Sequence, residues 1–326
     1  MKVTLLLPLA LAALLGACTK SPPPADVDKV APQAGPAVQK TDPAPQDAGL
    51  YPLRAVGMTF EGPTEIPSGW TTFRFQNQSP MVHFAMIDAP PESISLEVFY
   101  KDLMLPFQVL MDAMNAGDDA GVEATLASFP AWLADLGRAG GPGLLSPGLS
   151  ADTTVFLEPG RYVLECYIKT NGVFHTTGPD EDSMGMVLEF TVTEESNGAT
   201  EPEANAVVAL YNDRIELVAG GFVSGANTIR VNFAEQQALP SFAGNDVHIL
   251  SVSSNESVAL AGAWMDWREP TGMESPSPVR FVGGIQDMPA GSHGYISVDL
   301  EAGNYALMGE VPDPVAMGLV LPFSVK

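Results

Sequence analysis

The sequence predicts an all-β protein made of two tandem Greek-key β-sandwich domains, the first of which carries a helical insertion. Apolar residues occupy every second position of short runs such as "TTFRFQN" and "NTIRVNF", which is typical of half-buried strands. The phrases "TTVFLEPGRYVLECYIK" and "GYISVDLEAGNYALMGEV" follow one plan of strand, turn and strand. The polar segment "TEESNGATEPEANA" separates the two copies. This repeat indicates a duplicated sandwich domain.

These breaks set the expected domain boundaries. We expect the first sandwich at residues 50–195, a linker at 196–206 and the second sandwich at 207–326. Within the first copy, residues 92–137 interrupt the strand pattern. Apolar residues recur there at three- and four-residue spacing, in "SISLEVFYKDLMLPFQVLMDAMNAG" and "GVEATLASFPAWLADLG". This spacing predicts two amphipathic helices in the insertion.

The N-terminus has the pattern of an exported protein. A basic start and the apolar run "LLLPLALAALL" form a secretory signal too short to span a membrane. The run ends in "LGAC", which resembles the lipobox of bacterial lipoproteins. That resemblance implies a signal peptide at residues 1–17 and a lipid on Cys18, and Thr19 favours the outer membrane, facing the periplasm. Residues 18–49, rich in Pro and Ala, then predict a disordered tether.

Charge and cysteine use narrow the function. The formal net charge of −24 argues against nucleic acid as a partner, because two acidic polymers repel each other. The chain has two cysteines, and Cys18 is taken up by the predicted lipid. Cys166 is then left unpaired in an oxidising compartment, where structural cysteines are usually paired. A small buried core residue is one explanation, and a metal ligand is the other.

A candidate ligand set surrounds Cys166. Side chains alternate along a strand, so Cys166 is predicted on the inward face at the end of "RYVLECY". His175 and then Met184 or Met186 follow in the next loop, and His83 lies in "MVHFAMI". Two imidazoles, a thiolate and a thioether suit copper, and together they form a blue-copper electron-transfer site.

At this point the residues resemble a known family, the cupredoxins. The shared pattern is a histidine after "FxFxNxS", then "PGxYxxxC", then a loop histidine, then "GMVxxxxV". The resemblance implies one type 1 copper with His83, Cys166 and His175 as ligands and Met186 as the axial ligand, with Met184 as an alternative. Two features depart from it. Phe84 stands where the family usually has Asn, and the interval from His175 to Met186 is long.

The second copy lacks this ligand set. Aligned on "LEAGNYALM", Gly309 stands in the place of Cys166 and Leu319 in the place of Met186, and only His248 remains. A structural or docking role is expected for this degenerate domain, with His248 and His293 as ordinary residues.

We therefore expect a non-enzymatic electron carrier whose partner is a redox protein such as a cytochrome, with a basic surface. The chain has four histidines and no His-x-His pair, which argues against a multicopper oxidase. Copper delivery or sequestration is the first alternative. The second is a non-metal interaction module with Trp264 and Trp267 as candidate contacts, although buried aromatics also explain that pair.

Overall fold

The computed structural model describes residues 48–179, 183–237, 239, 242 and 244–326. The predicted signal peptide, Cys18 and nearly all of the tether lie outside the described residues. All described residues belong to one compact unit. Among them, no helix is long and apolar enough to cross a membrane.

Strands dominate the first half of the chain. They are β1 (Leu50–Val56), β2 (Thr59–Glu61), β3 (Glu65–Asn77), β4 (Met86–Ala89), β5 (Gly137–Arg138), β6 (Ser150–Leu157), β7 (Gly160–Glu165), β8 (Lys169–Thr170), β9 (Val173–Phe174) and β10 (Val187–Ser196).

The helices of the first half all lie between β4 and β5, within the predicted insertion. They are α1 (Leu96–Phe99), a π-helical turn (Tyr100–Met104), α2 (Leu105–Ala116), α3 (Asp119–Ser128) and a 3-10 turn (Ala131–Asp135). Ser95 and Asp118 accept N-terminal amides of α1 and α3 with their side chains. Gly117 ends α2 in the left-handed conformation, which glycine adopts without a steric penalty. The predicted first helix is therefore present but contains a π turn, and the second ends at Ser128.

The second half repeats the arrangement of strands and has a single α-helix among its described residues. Its elements are β11 (Ala206–Leu210), β12 (Ile215–Gly220), β13 (Gly225–Phe233), β14 (Val247–Ser251), α4 (Asn255–Trp264), β15 (Phe281–Ile285), β16 (His293–Leu300), β17 (Gly303–Met308) and β18 (Val320–Val325).

The pairing of strands is the same in the two halves. In the first half β1 runs parallel to β3, β3 pairs with β6, and β7 lies between β4 and β10. In the second half β11 runs parallel to β13, β13 pairs with β16, and β17 lies between β14 and β18. The predicted fold class, two tandem sandwiches with a helical insertion in the first, is confirmed.

One strand pair joins the two sandwiches. β16 pairs with β6 through three residue pairs, Tyr295 with Thr154, Ile296 with Thr153 and Ser297 with Asp152. A single sheet therefore continues from β12 to β5. The linker expected at 196–206 runs from the last residue of β10, Ser196, to the first residue of β11, Ala206.

Alternation of side chains builds the core. On β13, Ile229, Val231 and Phe233 are fully buried, and the residues between them are only partly buried. Burial of such side chains stabilises a fold by about 1.5–3 kcal/mol each. On β7 both faces are buried, because Val163 is as fully buried as Leu164. Cys166, predicted at the inner end of this strand, directly follows its last residue and is fully buried.

One predicted strand begins later than the sequence suggested. The alternation in "MVHFAMI" predicted that His83 lies within a strand, but β4 begins only at Met86. His83 instead forms an isolated bridge with Leu145. The strand register also shows that His83 and His248 are not equivalent positions in the two copies. Met86 pairs with Glu165 on β7, and His248 pairs with Met308, which is the residue of β17 that corresponds to Glu165. His248 is thus the counterpart of Met86.

Candidate metal centre

His83 is held by backbone bonds on both sides. Its amide donates to the Leu145 carbonyl (3.2 Å) and its carbonyl accepts from the Leu145 amide (2.8 Å). The buried side-chain amide of Asn77 donates to the carbonyls of Met81 and Leu145, each at 2.7 Å. Asn77 therefore fixes the segment that carries His83 to the segment opposite it.

Cys166 and Met186 are tied by their backbones. The Cys166 amide donates to the Met186 carbonyl at 3.2 Å, and the Met186 amide donates to the His175 carbonyl at 2.6 Å. Between them, a Cβ on Gly185 would lie 2.0 Å from the His175 carbonyl oxygen, so only glycine fits there. The fully buried Met186 side chain belongs to the same core cluster as Cys166. Met184 packs instead against a separate cluster around Tyr100.

His175 follows the β8–β9 hairpin, and its ring orientation is set by a chain of polar atoms. Its Nε2 lies 2.9 Å from the Thr170 hydroxyl oxygen, and that hydroxyl donates to the Met81 sulfur at 3.2 Å. In the tautomer that leaves Nδ1 free to bind a metal ion, Nε2–H donates to this hydroxyl oxygen and the hydroxyl donates to Met81. The neutral imidazole then turns the Nδ1 lone pair toward Cys166.

Three donor atoms meet in the interior. The two Nδ1 atoms of His83 and His175 are 3.2 Å apart, and Cys166 Sγ lies 3.6 Å from the first and 3.9 Å from the second. All three side chains are 0 % exposed. An ion bound at ordinary imidazole and thiolate distances holds such donors roughly 3–4 Å apart. The His83, Cys166 and His175 set therefore fits a metal ion.

Protonation favours the same interpretation. Burial lowers the pKa of His83 to about 3, helped by the neighbouring His175, and burial lowers the pKa of His175 to about 4. Both rings are thus neutral and can offer a lone pair. Burial raises the pKa of the Cys166 thiol to about 12, so the thiolate needs a nearby positive ion to form.

The hairpin before His175 is fixed from two sides. From α2, the Gln108 side chain donates to the Gly172 carbonyl (3.1 Å) and accepts from the Phe174 amide (2.9 Å). From the second sandwich, the Glu274 carboxylate accepts the amides of Asn171 (2.6 Å) and Gly172 (3.1 Å). Sequence reasoning missed Gln108, Glu274 and Thr170, because no spacing signal links them to the ligands.

The second sandwich holds a different buried group. His248 Nε2 lies 2.8 Å from Asp246 Oδ2 and 3.9 Å from Glu310 Oε2. Its Nδ1 accepts the Leu144 amide at 3.1 Å, so the neutral ring carries its proton on Nε2 and donates to Asp246. A metal at Nε2 would have to displace that proton, and we assign the pair as a structural hydrogen bond. His248 is thus a member of a polar group that the sequence did not predict.

The remaining residues singled out in the sequence lie elsewhere. Trp264 and Trp267 are each 5 % exposed, which matches the buried-aromatic interpretation. His293 begins β16 and lies 2.8 Å from the Glu201 carboxylate. Neither tryptophan nor His293 belongs to the group around Cys166.

The fold and the centre together define a β-sandwich protein with a buried group of two histidines and one cysteine. No protein-family model matches the sequence, and no curated protein matches it. Solved structures do match parts of it. Reduced auracyanin from the photosynthetic bacterium Roseiflexus castenholzii is 13% identical with a TM-score of 0.28, over 37% of this chain and 94% of that chain.

Two further structures span different shares of the chain. Auracyanin A, a "blue" copper protein from Chloroflexus aurantiacus, is 16% identical with a TM-score of 0.25, over 44% of this chain and 98% of its own. The Cu-containing nitrite reductase from Thermus scotoductus is 9% identical with a TM-score of 0.21, over 85% of this chain and 61% of its own. At these values the likenesses carry no inference about function, which is inferred from the centre itself.

Proposed function

We propose that this chain is a copper protein with one mononuclear type 1 centre that acts in electron transfer. The observation that carries the proposal is the convergence of the His83, Cys166 and His175 donor atoms on one fully buried point. Two imidazole nitrogens and a thiolate form the ligand set of blue-copper sites, completed by a weak axial thioether. Met186 is the proposed axial ligand.

The surroundings of the donors suit electron transfer. A bound copper ion supplies reversible one-electron chemistry there. The backbone bonds of Cys166 and Met186 and the Thr170 contact of His175 hold the donors in place whether the ion is oxidised or reduced. Complete burial excludes water and substrate from the centre, so we propose a carrier and not an enzyme.

The proposed setting is the bacterial envelope. The lipid on Cys18 would anchor the chain to the outer membrane, and the Pro-rich tether would hold the sandwiches away from it. A net charge of −24 would attract a basic redox protein, such as a cytochrome. The backbone of Gly57, in an exposed turn, lies beside the His83 ring and offers a short path to a docked partner.

A redox cycle tests this proposal. The purified chain is loaded with copper(II), reduced anaerobically with ascorbate, and reoxidised with ferricyanide. We expect the visible thiolate-to-copper absorption to disappear on reduction and to return on reoxidation. Copper should stay bound to the protein through desalting at both steps. His175→Ala should lose the absorption, and His293→Ala, which changes a histidine far from the centre, should keep it.

Copper delivery or sequestration predicts a different result. A delivery protein would release copper(I) to a chelator such as bathocuproine during the reduced step. Such release would contradict electron transfer and support copper handling. Absence of stoichiometric copper binding would contradict both and leave an interaction module.

A further inference from the structure

A lysine is buried in the hairpin that joins two of the proposed copper ligands. Lys169 begins β8, after Cys166, and it pairs across the hairpin with Phe174, which directly precedes His175. The residue is fully buried, although lysine is almost never fully buried unless its charge is paired. Neither the ligand set nor the packing of the core explains a buried cation at this position.

The Lys169 side chain has one acceptor for each N–H bond of an ammonium group. It donates to the backbone carbonyls of Trp267 (2.9 Å) and Glu269 (2.7 Å) in the second sandwich, and to the sulfur of Met111 (3.6 Å) in α2. A neutral amine has only two N–H bonds, so its lone pair would face one of these acceptors. The three contacts therefore fit the charged form of the side chain.

No carboxylate pairs directly with this charge within the described part of the chain. Glu274, Asp266 and Glu269 attract the ammonium group through space, without a hydrogen bond to it. The Glu274 carboxylate is bonded to the backbone of the hairpin instead, and Asp266 pairs with Arg268. Burial lowers the pKa of Lys169 to about 8, so the ammonium form still prevails at pH 7.

Neutral side chains could supply the same hydrogen bonds. A glutamine amide could donate to both carbonyls, and moving an ammonium ion out of water is far more unfavourable than moving an amide. What Lys169 adds is a fixed positive charge inside the fold, where water and salt screen it less than at the surface. This charge lies on the segment that joins Cys166 to His175, so its field reaches the donor atoms there.

The two oxidation states of the proposed centre respond differently to such a charge. With one thiolate and two neutral imidazoles, a copper(II) centre has a single net positive charge and a copper(I) centre has none. The lysine charge therefore repels the oxidised centre and not the reduced one. Two unit charges about 15 Å apart, at an effective dielectric constant of about 20, change a binding constant by roughly five- to sevenfold.

We propose that Lys169 raises the reduction potential of the copper centre, an inference that rests on the proposed type 1 site. It acts through the field of its charge and not as a ligand. The partner that reduces the centre can then be a weaker electron donor than the same site would need with a neutral residue at this position. A side chain that contacts the second sandwich thus helps to determine which redox proteins can serve as partners.

Two substitutions that remove the charge test this proposal. Lys169→Gln keeps an amide that can donate to the carbonyls, and Lys169→Met keeps the length of the side chain. Copper(II) and copper(I) affinities are measured at pH 7 by competition with chelators, and the reduction potential is measured by voltammetry. We expect both variants to bind copper(II) about fivefold more tightly and copper(I) as before, which lowers the potential by about 40 mV.

A merely structural role of Lys169 predicts the opposite sign for copper(II), because a loosened hairpin would weaken the binding of both ions. Lys169→Arg, which keeps the charge, should keep the ratio of the two affinities. Lys326→Met, which removes a charge at an exposed position, should change neither affinity. Weaker binding of both ions in the two charge-removing variants, or an unchanged affinity ratio, would overturn this inference alone. Absence of copper binding by the unchanged protein would overturn the electron-transfer proposal as well.

Discussion

At the scale of the residue, the centre is defined by where lone pairs point. The Thr170 hydroxyl directs the His175 Nδ1 toward Cys166, and burial keeps both histidines neutral. The two Nδ1 atoms lie 3.2 Å apart, so either a ring proton on one of them or a bound cation between them offsets the repulsion of their lone pairs. Two ring nitrogens and one sulfur at these distances can hold a cation in place of that proton.

The axial ligand can be identified by two matched substitutions. Met186→Leu removes the thioether that shares the core cluster with Cys166, and Met184→Leu removes one that packs around Tyr100. We expect Met186→Leu to shift the copper absorption and the reduction potential and Met184→Leu to change neither, measured by visible spectroscopy and voltammetry. The reverse pattern would make Met184 the axial ligand.

The sequence predicted the candidate metal ligands, but it did not predict the residues that orient them. Cys166 and His175 were predictable because an odd cysteine and a fixed interval are visible in one dimension. Thr170 and Met81 were not, since their contacts depend on how a two-strand hairpin meets a loop about 90 residues earlier in the chain, and no periodicity encodes that meeting.

At the scale of the element, the β8–β9 hairpin is the part that the rest of the fold holds still. Gln108 of α2 and Glu274 of the second sandwich both form hydrogen bonds with its backbone. The helical insertion and the second sandwich thereby both support the segment between Cys166 and His175. This gives the second sandwich a role that does not need a metal of its own.

Glu274→Ala should loosen that hairpin. Two backbone amides, of Asn171 and Gly172, would lose their acceptor, with an expected loss of stability of about 1–3 kcal/mol. Hydrogen exchange at residues 170–175 should accelerate and copper should dissociate faster, and the exposed control Glu301→Ala should behave as the unchanged protein. Unchanged exchange in Glu274→Ala would show that the hairpin is rigid without the second sandwich.

The alternation of apolar residues predicted most strands correctly. It was wrong for a loop whose residues alternate in the same way as those of a strand. "MVHFAMI" alternates, yet Met81 to Ala85 precede β4. The reason is the His83–Leu145 bridge and the bonds of Asn77, which set that backbone by contacts from distant residues. Local patterning carries no information about such contacts.

At the scale of the whole molecule, the two sandwiches meet over buried acids. Burial raises the pKa of Asp88, Glu165 and Glu310 above their ordinary values, and it raises the pKa of Asp287 to about 6. Arg138 offsets part of this for Asp88 and Asp287 by its positive charge. The contact between the halves is therefore sensitive to pH.

The stability of the protein should fall as pH rises from about 4 to about 6. With a folded pKa of about 6 against an ordinary value of 3.8, the folded state binds the Asp287 proton more tightly than the unfolded state. Its contribution is present below pH 4 and is lost by pH 6, at roughly 3 kcal/mol. We expect the free energy of unfolding, measured by urea denaturation at several pH values in this range, to change less with pH in Asp287→Asn than in Asp299→Asn, which alters an exposed residue of β16. An equal change with pH in the two variants would show that Asp287 titrates normally.

The sequence predicted the duplication but not how the copies contact each other. The repeated phrases revealed two sandwiches because each copy has its own alternation. The β6–β16 pairing and the His248 group depend on which sheet edges of the two copies contact each other. The sequence of an edge strand does not indicate the strand with which it pairs.

The central claim is that Cys166 provides a thiolate to one copper ion. Its most direct test is the visible absorption of the purified chain on addition of one equivalent of copper(II), with circular dichroism to verify folding. We predict an intense thiolate-to-copper band that saturates at one copper per chain and is absent in folded Cys166→Ser. A colourless copper complex, or a band that survives in Cys166→Ser, would contradict the account.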